Sequence, residues 1–261
     1  MENEWSYSRT SCFVNCKYKF FLQYIVGDEN LYPADGNYYA EVGSLVHEIL
    51  AMIFNGELGV DDALEFYVDN YDSYVFYKVK ESIMNKTFEL IADYFASLDL
   101  SWINDYEVLG VEKEVHCKVG KYNFLGFIDL LLRDKRDGKI VILDHKSSPY
   151  PFKKNGEVKK NSDKSFESYK RQMYLYCHAV KKLYGEFPKE IVWNHFKDGG
   201  KLAIIPFSAK EYESAIRWYK NTIKKIESEE DFEPTLDFFY CHNLCNFRSS
   251  CEYLDAEKES E

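Results

Sequence analysis

Apolar side chains recur every three to four residues through the first hundred positions, a spacing typical of amphipathic helices. Ser6 or Ser8 provides an N-cap for the first of these helices, which is predicted to continue to Ile25. The other helices predicted in this part of the chain cover residues 39–54, 61–73 and 77–98. The front of the molecule is therefore predicted to be helical.

The pattern changes after residue 100. Three segments rich in β-branched and aliphatic residues predict strands at 106–119, 122–133 and 139–146. Asp137-Gly138 predicts a hairpin turn between the last two strands. A polar and basic loop is expected next, at 149–167, followed by a helix at 168–184 and a hairpin at 191–207. The last predicted helix covers 208–226 and is capped by Ser208. This order predicts a mixed α/β core with a helical insert in front.

Composition limits the class of protein. The 261 residues are 46% hydrophobic and 17% aromatic, which is ample for a buried core and excludes a disordered chain. There is no apolar run of ~18 residues and no signal-like start, so we expect a cytoplasmic protein. The net charge of −11 argues against a basic coat for nucleic acid but leaves room for a local basic groove.

Candidate chemistry lies at the ends of the predicted strands. Asp144 and Lys146 share one strand face, and a hairpin partner can bring Asp129 beside them. Two carboxylates form a site for Mg²⁺ or Mn²⁺, and a neighbouring lysine can position or deprotonate a water or balance the charge of a phosphate. An ordinary ion pair between Asp144 and Lys146 is the alternative.

Further residues extend this candidate site. Glu112 and Glu114 alternate along the preceding strand, so either could add a third carboxylate. Gln172 and Tyr176 lie one turn apart on one face of the helix that follows the strands. His47 lies within a predicted helix, where a histidine is commonly structural.

In this order, the motifs resemble the PD-(D/E)XK nuclease superfamily in its RecB-like branch, which includes iron–sulfur nucleases of CRISPR spacer acquisition and many phage exonucleases. Lys17 stands where that family usually has proline. The segments that carry the resemblance are Trp5–Tyr24, Gly43–His47, Glu114, Gly126–Asp129, Ile142–Lys146 and Gln172–Tyr176.

The resemblance implies a fold and a domain plan. The fold is a mixed central sheet of the restriction-endonuclease-like core, flanked by helices, with an N-terminal helical insert and a C-terminal Cys-rich clasp. Residues 1–261 would form a single nuclease domain. Its parts would be the helical part at 1–100, the catalytic α/β core at 101–230 and the Cys-rich segment at 231–261.

The resemblance also implies a role for each site residue. Lys146 would orient the attacking water, and Glu114 would belong to the catalytic strands. Gln172 and Tyr176 would form the wall of the site and approach the scissile strand. The metal ligands would be His47, Asp129, Asp144 and the backbone carbonyl of His145. A histidine among oxygen ligands favours tolerance of Mn²⁺ over strict dependence on Mg²⁺.

The cysteines suggest a second metal centre. Cys241, Cys245 and Cys251 are closely spaced and one ligand short of four, and Cys16 or Cys12 could supply the missing one. Spacing alone is compatible with Zn²⁺ as well as iron–sulfur. The resemblance implies that Cys16 joins the three C-terminal cysteines to hold a [4Fe–4S] cluster. The remaining two cysteines, Cys117 and Cys177, are expected to be thiols in the core.

The predicted loop after the third strand is basic. Between residues 153 and 171 we count seven basic and three acidic residues, a local charge of +4. Phe152, Phe166 and Tyr169 are interleaved and suited to stacking on bases. A solvated loop without a ligand is the alternative. The residues expected to bind DNA are Lys153, Lys154, Lys159, Lys160, Lys170 and Arg171.

These expectations point to a metal-dependent deoxyribonuclease, an exonuclease more than an endonuclease, acting on single-stranded DNA or frayed duplex ends. Phage recombination, repair and CRISPR adaptation are the expected settings. The chain has no Gly-x4-Gly-Lys-Ser/Thr phosphate loop, so it would act alone or beside a helicase, integrase or single-strand annealing protein. The alternative is a non-catalytic DNA-binding or scaffold subunit with a structural four-cysteine metal site.

Overall fold

The computed structural model describes residues 4–254. Its helices are α1 (Tyr7–Asn15), α2 (Lys17–Phe20), α3 (Tyr38–Phe54), α4 (Ala63–Tyr74), α5 (Glu81–Ala96), α6 (Asp163–Tyr184) and α7 (Ala209–Glu227). Its strands are β1 (Glu4–Trp5), β2 (Tyr106–Val119), β3 (Tyr122–Asp134), β4 (Ile140–Lys146), β5 (Glu190–His195) and β6 (Lys201–Pro206). The outermost parts of the predicted domain, 1–3 and 255–261, lie outside the described residues.

The strands form one mixed sheet. Its order is β1-β3-β4-β5-β6, with β2 paired to β3. The pairs β1/β3 and β4/β5 are parallel, and the other neighbours are antiparallel. Gly138, with φ 71°, makes the predicted turn between β3 and β4. The predicted mixed α/β core is therefore confirmed.

Helices cover both faces of this sheet. On one face, α6 and α7 bury Met173, Leu175 and Ile223 against the strands. On the other face, Phe54 of α3 and Trp102 of the segment before β2 pack over buried leucine and valine side chains of β3, β4 and β5. Helices α3, α4 and α5 also share a core of their own, centred on residues such as Tyr67 and Ile91. None of the helices among residues 4–254 has the length and apolar character needed to cross a bilayer.

The predicted first helix is interrupted. Ser6 caps α1, because its hydroxyl accepts a hydrogen bond from Arg9 N at 3.0 Å, so Ser6 and not Ser8 is the cap. The chain then leaves helical geometry at Cys16, with φ −158° and ψ 115°. It resumes as α2 and a π-helix at Phe21–Val26. The break places Cys16 at a corner, where its sulfur accepts a hydrogen bond from Lys19 N.

The predicted loop at 149–167 is shorter than expected. Helix α6 begins at Asp163, several residues before the predicted start at 168. An isolated β-bridge joins Phe152 to Val158 and closes the segment into a compact turn. Phe166, on the first turns of α6, therefore points into the core beside Trp193.

Candidate active site

The site forms where two strands separate. Pairing between β3 and β4 runs from Arg133↔Ile140 to Leu130↔Leu143 and ends there. At the next position, the Asp129 carboxylate Oδ2 accepts a hydrogen bond from the backbone N–H of His145 at 2.7 Å. A side chain thus replaces the missing strand partner, and the carboxylate is held at the fork of the sheet.

Helix α3 brings His47 to this fork. Its Nε2 lies 3.1 Å from the backbone carbonyl oxygen of His145. Its Nδ1 lies 3.4 Å from Asp129 Oδ2 and 3.6 Å from Glu112 Oε1. One imidazole therefore contacts two carboxylates and one carbonyl, the oxygen types that a hard divalent cation prefers.

The structure brings Glu112, and not Glu114, to His47. Glu114 points away, and its Oε1 accepts a hydrogen bond from His116 Nε2 at 2.6 Å on an exposed surface. Glu112 lies between Val111 and Lys113, whose partners on β3 are Leu130 and Ile128, so it is opposite Asp129, whereas Glu114 pairs with Phe127. Glu112 also has a left-handed backbone with φ 43°. A left-handed non-glycine residue is strained, which is common at functional sites.

Strand β4 supplies Asp144 and Lys146. Lys146 Nζ lies 2.6 Å from Asp144 Oδ2 and donates a hydrogen bond to Gln172 Oε1 at 3.3 Å. Gln172 Nε2 in turn donates to the Tyr176 hydroxyl at 3.0 Å. Gln172 and Tyr176 of α6 therefore extend the chain of hydrogen-bonded polar groups that begins at Asp144. Gly126 allows Tyr176 to approach, since a Cβ there would lie 2.7 Å from the tyrosine ring.

Burial controls the charges of these groups. Burial and the nearby Asp144 raise the pKa of the Asp129 carboxyl to about 7, although His47 opposes the shift. Burial disfavours the charged form of His47, but Glu112 and Asp129 outweigh it and its pKa is raised. Burial likewise opposes the Lys146 ammonium, but Asp144 and Asp129 outweigh it and raise its pKa. Lys146 is therefore a cationic hydrogen-bond donor at neutral pH.

The arrangement has the ligands for a divalent cation. Ligand atoms of His47, Glu112 and Asp129 all lie within 4.8 Å of one another. Asp144 Oδ2 is buried and has no well-directed hydrogen bond, in spite of its short contact with Lys146. Asp144 is therefore paired with Lys146 next to the group of three, and it would add a further carboxylate to a cation held by His47, Glu112 and Asp129.

The basic segment is only partly free to bind a ligand. Lys153 forms an ion pair with Glu157 at 2.9 Å, and Lys170 forms ion pairs with Glu167 and Glu211. Lys159 donates a hydrogen bond to the Tyr150 carbonyl at 2.7 Å. Lys154 and Lys160 are exposed, and neither has an ion-pair partner among residues 4–254. The stacking role expected for Phe166 is wrong, because Phe166 is only 4% exposed in the core.

Arg171 lies on the wall of a separate groove. Its guanidinium stacks over the Trp218 ring, 5.0 Å from the centroid, and it has no carboxylate partner among the described residues. The groove has a volume of about 390 Å³ and is also lined by Tyr7, by Lys164 and by the acidic Asp163 and Glu167. An aromatic ring beside an unpaired cation suits a nucleic-acid strand.

The cysteines separate into two environments. Cys16 and the three C-terminal cysteines are at most 9% exposed and lie together in an apolar cluster with residues such as Tyr18 and Leu22. Cys12 belongs to the main core instead, where its thiol donates to Gln23 Oε1 at 3.8 Å and burial raises its pKa to about 12. Cys177 is fully buried, and Cys117 packs at the edge of the same core.

Carboxylates and an imidazole converge beside a partly buried lysine at the fork of a mixed sheet, an arrangement consistent with a restriction-endonuclease-like nuclease core. The family model of the PD-(D/E)XK nuclease superfamily matches residues 4–252, and the chain belongs to this superfamily. It is therefore a nuclease.

A solved structure supports the same fold. The chain is similar to a crystal structure from Eubacterium rectale that is provisionally named an exonuclease, with 15% sequence identity and a TM-score of 0.53. The match covers 98% of this chain and 88% of the other. At this identity the likeness shows the fold alone. No curated protein matches the chain.

Proposed function

We propose that this protein is a metal-dependent deoxyribonuclease that degrades single-stranded DNA or frayed duplex ends from a terminus. The observation that carries the proposal is the group of ligand atoms of His47, Glu112 and Asp129 at the sheet fork, with the Asp144–Lys146 pair on the adjoining end of β4. The ligands that would hold Mg²⁺ or Mn²⁺ are His47, Glu112, Asp129, Asp144 and the carbonyl of His145. When bound, the ion supplies a nucleophilic water and neutralises charge on the phosphate.

The protein's own groups position the reaction around that ion. Lys146 carries a positive charge beside Asp144, so it is placed to donate hydrogen bonds to the attacking water and the scissile phosphate. Gln172 fixes the direction of the Lys146 ammonium through its Oε1 and holds the Tyr176 hydroxyl through its Nε2. Arg171 and Trp218 offer a cation and an aromatic ring to a DNA strand in the neighbouring groove.

A set of end-labelled DNA substrates tests this function. We expect cleavage of linear single strands in Mg²⁺ or Mn²⁺, no cleavage in chelator, and resistance of a closed single-stranded circle. Asp144→Asn, which keeps the side-chain shape, is the inactive control. Cleavage of the circle would show an endonuclease, and equal cleavage by Asp144→Asn would refute the site.

We further propose that Cys16, Cys241, Cys245 and Cys251 hold a [4Fe–4S] cluster. The four line one small apolar cavity, from which Cys12 is absent. Four thiolates around one cavity suit either a [4Fe–4S] cluster or a single Zn²⁺, and the family resemblance of the cysteine layout favours the cluster.

Iron and sulfide analysis after anaerobic purification tests the cluster. The parent protein should be brown and contain four irons, and Cys16→Ala should lose them. Cys12→Ala is the matched control, in the preceding helix, and should keep them. Stoichiometric zinc in the parent protein would replace the cluster, and loss of iron only in Cys12→Ala would reverse the ligand assignment. The expected cytoplasmic setting and the helicase, integrase or annealing partner remain predictions.

A further inference from the structure

His145 makes three separate hydrogen bonds in three directions. Its backbone N–H donates to Asp129, and its carbonyl oxygen faces His47. The third contact comes from its ring, because Nδ1 lies 3.0 Å from Nδ2 of Asn194, its register partner on the parallel strand β5. The carbonyl that would ligate the metal therefore belongs to a residue whose side chain is anchored elsewhere.

Asn194 connects that ring to the helical layer. The same Nδ2 donates a second hydrogen bond, at 2.9 Å, to the hydroxyl of Tyr94 on α5. Both protons of the amide are thus used, and Nδ1 of His145 must be the acceptor. This orientation leaves only Oδ1 of Asn194 without a partner, whereas a flipped amide would leave two donors unpaired.

The chain of contacts is largely buried. Tyr94, Asn194 and His145 are at most 6% exposed, and all three line a pocket of about 210 Å³ beneath α5. Hydrogen bonds in such a low-dielectric setting are stronger than in water. Tyr94 packs with Phe196 in the contact zone between α5 and the sheet. Gly200 makes room for it, because a Cβ at that position would lie 2.9 Å from the tyrosine ring.

We infer that Tyr94 and Asn194 are positioning residues for the metal site. At the fork, β4 has lost β3 as a neighbour, so pairing on that side does not fix the His145 peptide. On the other side, β5 pairs with β4 as far as Lys146↔His195, and the Tyr94–Asn194–His145 chain adds a side-chain anchor to this pairing. We infer that this anchor aims the carbonyl at the cation and keeps the N–H on Asp129. Outer hydrogen bonds that orient metal ligands typically change metal affinity ~10- to 100-fold when removed. This inference rests on the proposed metal site.

Mn²⁺ binding measured by electron paramagnetic resonance tests it without a nuclease assay. Tyr94→Phe removes only the hydroxyl and should weaken Mn²⁺ binding ~3- to 10-fold. Asn194→Leu removes both hydrogen bonds and should weaken it ~10- to 100-fold. The matched control is Tyr71→Phe, which removes another buried tyrosine hydrogen bond of the helical layer, to Tyr38 at 3.1 Å, and should leave Mn²⁺ affinity unchanged.

The outcomes separate the two levels of the proposal. If the parent protein binds no Mn²⁺, the metal site itself is wrong and the inference falls with it. If the parent binds Mn²⁺ and folded Tyr94→Phe binds it equally well, only the positioning role is refuted, even if Asn194→Leu does not fold. If Tyr71→Phe weakens Mn²⁺ binding as much as Tyr94→Phe does, the positioning role is also refuted, because a general loosening of the helical layer would then explain the lower affinity. Cleavage by Tyr94→Phe should return to the parental rate at saturating Mn²⁺.

Discussion

Replacing Asp129 with asparagine should stabilise the metal-free protein while it removes the response to metal. Burial and Asp144 raise the carboxyl pKa from the ordinary 3.8 to about 7. The folded protein therefore binds more protons than the unfolded chain between these values, and its free energy of unfolding falls as the pH rises through that window. Asparagine keeps the shape and the oxygen that accepts from His145 N, but it has no proton to lose.

The magnitude follows from the two pKa values. At ~1.36 kcal/mol per pKa unit, full ionisation of Asp129 costs the metal-free protein about 4 kcal/mol. Roughly half of this falls between pH 5 and pH 7.5. We therefore expect Asp129→Asn to lack that part of the pH dependence and to be the more stable protein at pH 7.5.

Urea unfolding followed by tryptophan fluorescence provides the assay. Parent and variant are compared in chelator at pH 5 and pH 7.5, and again in excess Mn²⁺, which should stabilise the parent through binding to the folded state. The reasoning fails if both proteins show the same pH dependence, or if Asp129→Asn is the less stable protein at pH 7.5. It also fails if Mn²⁺ stabilises the variant as much as the parent.

Three other predictions follow from the site. Lys146→Ala should lower kcat ~10²- to 10³-fold and keep DNA binding, because it removes a donor to the transition state; unchanged kcat would assign catalysis to another group. Glu112→Gln should weaken Mn²⁺ binding ~10-fold in a titration, whereas Glu114→Gln should not, and the opposite result would restore the alternative carboxylate. Charge reversal at Lys154 and Lys160 should weaken single-strand binding and reduce the slope of log affinity against log salt by ~1.4. Charge reversal at Lys224 and Lys225 on α7 is the control. If it weakens single-strand binding equally, the effect is one of net charge and not of the 153–171 segment.

Local signals in the sequence account for much of the fold. Asp137-Gly138 between two apolar runs predicts the β3–β4 hairpin, since few residues other than glycine adopt the required left-handed turn. Ser208 with Glu211 predicts the start of α7, where Glu211 N donates to the Ser208 hydroxyl. Such features depend on neighbours within a few residues, and the chain carries them wherever it folds.

The identity of the third carboxylate depended on the tertiary structure. Glu112 and Glu114 share one alternation in the sequence, and the pairing of β2 with β3 decides which of them reaches His47: Glu112 lies between the pairs Val111↔Leu130 and Lys113↔Ile128, opposite Asp129, whereas Glu114 pairs with Phe127. The break at Cys16 has no local breaker such as proline. It becomes visible only when the corner is seen to lie beside the C-terminal cysteines.

The sequence by itself determined which residue types were available: strand-end carboxylates with a lysine, a Gln-x3-Tyr pair and a set of clustered cysteines. The structure alone decided which groups meet, because contacts between distant segments depend on sheet register and helix packing. Asn194 and Tyr94 show this most clearly. They lie 100 positions apart and belong to no motif, yet they hold the peptide whose carbonyl faces the candidate metal site.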